Sequence, residues 1–366
     1  MTNSKRKTSQ TRRKKRREKM RLFSTEQISK YHPDKYADQI SDRIVTIATR
    51  KNPGARVAIE TMVKDNTVIV AGEIGRVDVT DHEIQDAVKA VARKLGYQVD
   101  EIIIRVSTQS LEIGKAVDAN EETGAGDQGI MFGYATNETE THLPLAFHLS
   151  NKIIAIIEDD VENNPSSILK GDAKTQVTVD LDKNTVEKIL VSVCHYEGID
   201  MKILKYYIIG MLTTAGIPTP KEWIINPAGL WTVGGPTADC GLTGRKIVCD
   251  QYGGFVAVGG GAFSGKDLSK VDRSAAYMAR NIAVDALKNF NINECEIQLA
   301  YGIGMKEPMS INVKTDKPKT SKLVESWIRR TYDLTPAALI ETFEGIDFEF
   351  LAQGCHYRFG RVDEMA

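Results

Sequence analysis

The chain has 366 residues, 42% hydrophobic and 27% charged, which is enough for two or three domains with proper cores. No apolar run approaches the roughly 18 residues of a membrane-spanning helix. The five cysteines (Cys194, Cys240, Cys249, Cys295, Cys355) contain no CxxC pair, so they read as reduced thiols of a cytoplasmic protein, not as staples or zinc ligands.

The net charge of −1 hides an asymmetry. Residues 1–21 hold eleven Lys/Arg against one Glu, which leaves the remainder acidic. This stretch has no apolar segment of the secretory type. It reads as a disordered basic arm, suited to nonspecific contact with a polyanion or to a localisation role.

From Leu22 the character changes. Tyr36, Ile40, Ile44 and Ile47 recur at helical spacing, with Pro33 suited to the first turn, so His32, Asp34 and Lys35 fall at a helix N-terminus. Residues 56–63 and 67–74 read as strands of a hairpin turning at Asp65-Asn66, and residues 81–95 as a second helix. The order then recurs: a helix over 141–161, a hairpin of 176–181 and 185–194 turning at Lys183-Asn184, and a helix over 201–215. It recurs again with a helix over 269–290, strands 295–303 and 309–314, and a helix over 321–331.

The first strands begin near 56, 175 and 295, a period of about 120 residues that suggests an internal repeat. The class is therefore α+β, with three similar helix–hairpin–helix domains. The boundaries expected are a basic arm at 1–21, an N-terminal domain at 22–107, an active-site lid loop at 108–123, a central domain at 124–234 and a C-terminal domain at 235–366. The lid is expected because residues 107–124 are polar, lack a period and precede a glycine-rich turn.

Five clusters set cations beside carboxylates at turns: His32/Asp34/Lys35, Gly124–Gly129 with Asp127, Asp172/Lys174, Asp239 with Gly244-Arg245-Lys246, and Lys266/Lys270/Asp272. Each alone is weak, since a surface Asp-x-Lys is usually a solvated pair. Together they supply more positive charge than a monophosphate needs, and carboxylates for a metal. A triphosphate with magnesium fits that count. The glycines of residues 259–265 would let backbone N–H groups approach phosphate oxygens.

Gly260-x4-Gly265-Lys266 also fits most of a P-loop, with residues 255–258 as its preceding strand, but Asp267 stands where the magnesium-binding Ser/Thr belongs. Two alternatives stay open on these residues: a P-loop-like ATPase or kinase releasing ADP, and a non-catalytic nucleotide- or RNA-binding protein.

His32-Pro33-Asp34-Lys35 followed by Ala37 to Asp42, Gly124 to Thr139, Asp239 to Lys246 and Gly259 to Arg273 together resemble the S-adenosylmethionine synthetase family. The likeness runs in order from about Leu22 to Arg361. It implies three α+β domains about a pseudo-threefold axis, homodimers or homotetramers with active sites shared between subunits, and ATP and L-methionine as substrates. Sulfur would attack C5′ of ATP and release triphosphate, which is then cleaved to pyrophosphate and phosphate.

By the same resemblance, His32 contacts the leaving oxygen. Lys35, Lys174, Arg245, Lys246 and Lys266 hold phosphates. Asp172, Trp231, Asp239 and Ala262 complete the ATP site, with Trp231 against adenine. Glu73, Lys115, Asp127, Asp239 and Lys270 serve methionine. Asp34 and Asp272 bind magnesium, two ions per site, and Glu60 binds potassium. Three departures from the family pattern stand out: Tyr31 where glycine is usual, Lys115 where a loop glutamine is usual, and a short lid loop.

Overall fold

The computed structural model describes residues 21–108 and 124–352. The basic arm up to residue 20, the expected lid from residue 109 with Lys115, and Cys355 and Arg361 lie outside the described residues.

β1 (Leu22–Ile28) leads into α1 (Pro33–Lys51), which His32 caps and Pro33 opens. β2 (Arg56–Lys64) and β3 (Thr67–Gly75) form the expected hairpin, with Asp65 left-handed at φ 50°. α2 (Asp81–Leu95) starts at a Thr80/Glu83 capping box and ends at Gly96. β4 (Glu101–Thr108) and β5 (Gly129–Thr136) flank the undescribed loop.

α3 (Leu145–Asn163) begins four residues later than its periodicity suggests. Pro144 sits at its N-cap, and a residue before proline resists the helical conformation, so residues 139–142 close a turn instead. β6 (Leu169–Asp180) starts earlier than expected and pairs with β7 (Thr185–His195) through register shifts after Leu169 and Thr178. The even spacing of strand starts is loosened by that extension. α4 (Met201–Thr214), β8 (Glu222–Ile225), α5 (Gly235–Ala238), β9 (Gly241–Leu242) and α6 (Ile247–Asp250) follow. The last third holds α7 (Val271–Asn289), β10 (Glu294–Tyr301), β11 (Ser310–Thr315), α8 (Pro318–Thr331), α9 (Pro336–Thr342) and α10 (Phe348–Ala352).

Among the described residues three sheets result, ordered β9-β2-β3-β4, β1-β6-β7-β8 and β5-β10-β11. Each is built on one of the three hairpins. In the first two the chain leaves the hairpin through a helix (α2 or α4) and returns as a strand parallel to it, a crossover the hairpin periodicity did not reveal. The remaining strand of each sheet comes from another block. β1 precedes the first hairpin but pairs with β6, β5 pairs with β10, and β9 pairs with β2. The expected 22–107, 124–234 and 235–366 blocks therefore each carry a hairpin and lend a strand to a neighbour.

α1 lies on β2, α3 on β6 and β1, and α7 on β5 and β10. Each interface is an apolar core: Ile40, Ile44, Val57, Ile59, Val68 and Val70 under α1; Ile153, Ile157, Val177 and Val191 under α3; and Ala279, Ile282, Ile297 and Leu299 under α7. Among the described residues, no helix is long and apolar enough to cross a membrane, and Cys194, Cys240, Cys249 and Cys295 are free thiols.

Candidate active site

One face of α1 organises the site. Asp34, Asp38 and Asp42 recur every four residues, so they stack on one side of the helix, and all three are fully buried. Each accepts a backbone N–H from a distant stretch of chain: Asp34 from Leu242 at 2.9 Å, Asp38 from Gly244 at 2.8 Å, and Asp42 from Gly265 at 2.9 Å. Ser41 adds hydroxyl contacts to Thr61 and Thr243, each at 2.8 Å. The helix thus suspends both the 239–246 turn and the glycine loop. Sequence reading used Asp34 and passed over Asp38 and Asp42. Their four-residue spacing along one helix was the signal.

His32 is buried at the head of this helix. Its Nδ1 accepts the Asp34 N–H at 3.1 Å, so in the neutral ring the proton sits on Nε2. Burial, then Lys174, push its pKa down to about 3, and Arg245 and Lys246 add to the effect, so the ring is neutral at physiological pH. Asp34 meets Lys246 at 2.6 Å and Arg245 Nε at 2.9 Å. Burial works to raise the Asp34 pKa, but the hydrogen bonds from Lys246 and Leu242 outweigh it, and the carboxyl stays below its usual range.

Asp239 lies 3.7 Å from the Arg245 guanidinium. Asp172 accepts the Gly235 N–H at 2.7 Å through one oxygen, and its other oxygen is buried without a partner among the described residues. Burial raises its pKa to about 6. Trp231, half-buried, donates its indole N–H to the Val233 carbonyl at 2.7 Å. A cavity of about 760 Å³ lined by Tyr31, Tyr97, Asp172, Tyr196 and Val233 opens beside it.

A second group surrounds the glycine loop. Lys266 meets Asp272 at 2.6 Å. Gly265 has φ +85°, and a Cβ there would lie 1.9 Å from the Ile59 carbonyl oxygen, so only glycine lets the loop lie against β2. Ile59 N–H donates back to the Gly265 carbonyl at 2.9 Å, and Asp267, the residue that broke the P-loop pattern, accepts the Val57 N–H at 2.7 Å. Ala58 bridges Lys266 on one side and pairs with Glu73 on the other. Asp127 is exposed just before β5, and Lys270 caps α7. A Cβ on Gly244 would lie 2.3 Å from that of Ala262, so Ala262 stands where the two loops meet.

Two placements bear on the phosphate site. Lys35 is one of the residues expected to hold phosphate. Its side chain is wholly buried, and its ammonium bridges Asp38 at 2.7 Å and Asp250 at 2.8 Å. Those carboxylates neutralise it, and it braces Asp38 beneath the 241–246 turn. The rival P-loop reading, already at odds with Asp267, lacks its geometry too. Residues 255–258 form no strand, and Lys266 is separated from the first residue of α7 by four others, so no helix N-terminus follows the glycine loop directly.

Among the described residues no three His, Cys, Asp or Glu side chains gather as a metal cage. Lone carboxylates, Asp34 in one group and Asp272 in the other, suit magnesium, a hard cation usually held by one or two carboxylates together with substrate phosphates and water. The residues present therefore fit a metal that arrives with a polyphosphate.

Models of the S-adenosylmethionine synthetase family match the chain in three successive pieces: the N-terminal domain over residues 20–120, the central domain over 122–231 and the C-terminal domain over 233–365. The three matches in order agree with three sheets built on repeated hairpins, and they leave no support for a kinase or P-loop ATPase. The chain belongs to the S-adenosylmethionine synthetase family, and as a methionine adenosyltransferase it makes S-adenosylmethionine from L-methionine and ATP.

Proposed function

We propose that the two groups of residues are complementary halves of the catalytic centre, each cradling one side of the triphosphate. The sulfur of methionine forms a bond to C5′ while the C5′–oxygen bond breaks and its electron pair leaves with the triphosphate. A thioether needs no general base, so catalysis rests on alignment and on stabilising charge at the leaving oxygen. The His32 Nε2–H is the donor for that oxygen. Lys174, Arg245, Lys246 and Lys266 bind phosphate oxygens. Asp172, Trp231, Asp239 and Ala262 hold the nucleoside and its surroundings. Glu73, Asp127, Asp239 and Lys270 hold the amino and carboxylate groups of methionine.

The family depends on metal ions, and magnesium, two ions per site, supplies charge neutralisation when bound. Asp34 and Asp272 would hold it, and Glu60 would hold potassium. The observation that carries this reading is the pairing in each group. Asp34 sits on Lys246 and Arg245, and Asp272 sits on Lys266. With the metal bound, Asp34 and Asp272 would hold it and the cations would serve phosphate, so neither sign of charge would be left buried alone.

A homodimer or homotetramer with shared sites is the assembly we infer. Leu242, Met62, Ile69 and Ile103 form an apolar row straight across the first sheet on the face opposite α1, and Met62 is 37% exposed. Glu60 and Glu73 lie on that same face, so a second copy seated there would bring the methionine and potassium residues to an interface. Free thiols fit a cytoplasmic setting, and residues 1–21 would add nonspecific polyanion contacts.

The test is single-turnover formation of S-adenosylmethionine with phosphate and pyrophosphate analysis. His32→Asn or Asp272→Ala should slow the first step by about 100- to 1,000-fold. Rates near wild type in either variant would reject the assigned role.

A further inference from the structure

We propose that Glu158 and Tyr97 are positioning residues that fix the Ser29–His32 turn and thereby aim His32. The proposal rests on the reading of His32 as the group at the leaving oxygen. Neither residue lies in a motif shared with the phosphate clusters. They come from α3 and from the turn after α2, and they converge on the residues immediately before His32.

The turn is held at nearly every polar backbone atom. Ser29 N–H donates to the Ala173 carbonyl at 3.0 Å, and the Ala173 N–H returns to the Ser29 hydroxyl at 3.1 Å. Lys30 N–H donates to the Glu158 carboxylate at 2.6 Å, and the Lys30 carbonyl accepts from Gln39 at 2.9 Å. The Tyr31 carbonyl accepts from the Tyr97 hydroxyl. His32 N–H closes onto the Ser29 carbonyl at 3.0 Å, and the His32 carbonyl accepts from Tyr36 at 2.9 Å. Gln39 belongs to α1, the helix this turn opens, whereas Glu158 and Tyr97 are side chains carried by elements elsewhere in the fold.

Glu158 is 3% exposed, and a hydrogen bond from a main-chain N–H to a buried carboxylate is shorter and stronger than one between neutral groups, so it holds that amide firmly. The Lys30 ammonium reaches across to Glu162 at 2.5 Å and stands 4.0 Å from Glu158, and the Tyr31 hydroxyl meets Glu162 at 3.3 Å. The ring of Tyr31 lies against Gly171, where a Cβ would come within 2.7 Å of it and φ is +92°. Asp172 is the next residue. The turn therefore also registers His32 against the strand that carries Asp172 and Lys174. Tyr31, the departure from glycine, is accommodated because residue 171 is glycine.

Loosening this turn through Glu158 would displace His32 without touching either substrate. A misplacement of about 1 Å costs on the order of 100-fold in rate. Glu158→Ala should therefore lower kcat by about 10- to 100-fold, with the KM for ATP and for methionine within about threefold of wild type. Glu158→Gln keeps an oxygen for the Lys30 N–H and should recover kcat to within about threefold. Tyr97→Phe removes one oxygen from a packed ring and should also lower kcat, which supplies a second readout where Glu158→Ala does not fold.

Normal kcat in both Glu158→Ala and Tyr97→Phe, a loss that Gln does not recover, or a change confined to KM would overturn the proposal. His32→Asn assayed alongside separates the two failures. If His32→Asn turns over like wild type, the reading of His32 is at fault. If it is slow while Glu158→Ala is normal, the positioning role is at fault.

Discussion

Asp42→Asn probes the device that hangs the glycine loop on α1. The Asp42 carboxylate accepts two bonds from Arg273, at 2.7 and 3.0 Å, and the Gly265 N–H at 2.9 Å, and both charged side chains are wholly buried. Burial by itself would depress the Arg273 pKa, but Asp42 overrides it and keeps the guanidinium firmly charged. Asparagine retains one carbonyl oxygen. Turned toward Gly265 and one guanidinium nitrogen, it faces its own NH₂ toward the other, donor against donor, and leaves a buried cation without a counter-charge. Removing one partner of a buried pair costs about 3–5 kcal/mol. Guanidinium-chloride unfolding should show that loss as a lower midpoint at unchanged slope. The double variant Asp42→Leu/Arg273→Met removes both charges and should lose less than Asp42→Asn alone. A loss below about 1 kcal/mol in Asp42→Asn would refute the claim that this pair fastens the loop.

Two further outcomes are expected. Gly265→Ala must fit a methyl into the Ile59 carbonyl at a left-handed φ, so it should cost more than about 1 kcal/mol in stability and slow turnover, measured by thermal melts and steady-state rates; an unchanged melt would show that the loop does not lie against β2. Glu158 is raised from 4.5 to about 7, chiefly by burial, so between those pH values the unfolded chain has released a proton that the folded chain keeps, and stability falls as pH rises through this window. Glu158→Gln lacks that loss and should gain on wild type by on the order of 3 kcal/mol between pH 4.5 and 8; parallel stability curves for the two proteins would contradict it.

The Lys35 and Asp267 results show where local reading stopped. Both residues belong to stretches whose composition points to phosphate. Asp267 was correctly taken as evidence against a P-loop, and the structure supplies its positive role as an acceptor for Val57 on β2. Lys35 was read as a phosphate ligand because it follows His32-Pro33-Asp34. It is the residue next to Asp34, and a helix turns about 100° per residue. Asp34 faces the turn that carries Arg245 and Lys246, while Lys35 points into the interior against Asp250. Asp38 and Asp42 were overlooked for the complementary reason: buried carboxylates on a helix are rare, and nothing local says which loop will cover them.

The sequence by itself determined the six long helices, the three hairpins and their repeat, because hydrophobic period, caps and turn residues act over a few neighbours. It also determined the chemical character of the site, because cations and lone carboxylates beside glycine turns have few uses other than a polyphosphate and its metal. Only the tertiary structure decided the strands lent from one block to the next, the carboxylate ladder of α1, and the separation of the site residues into two groups. Each of these depends on contacts between residues tens to hundreds apart in the chain. A periodic pattern reports that a face will be covered, but what covers it is settled when the sheets and helices pack together.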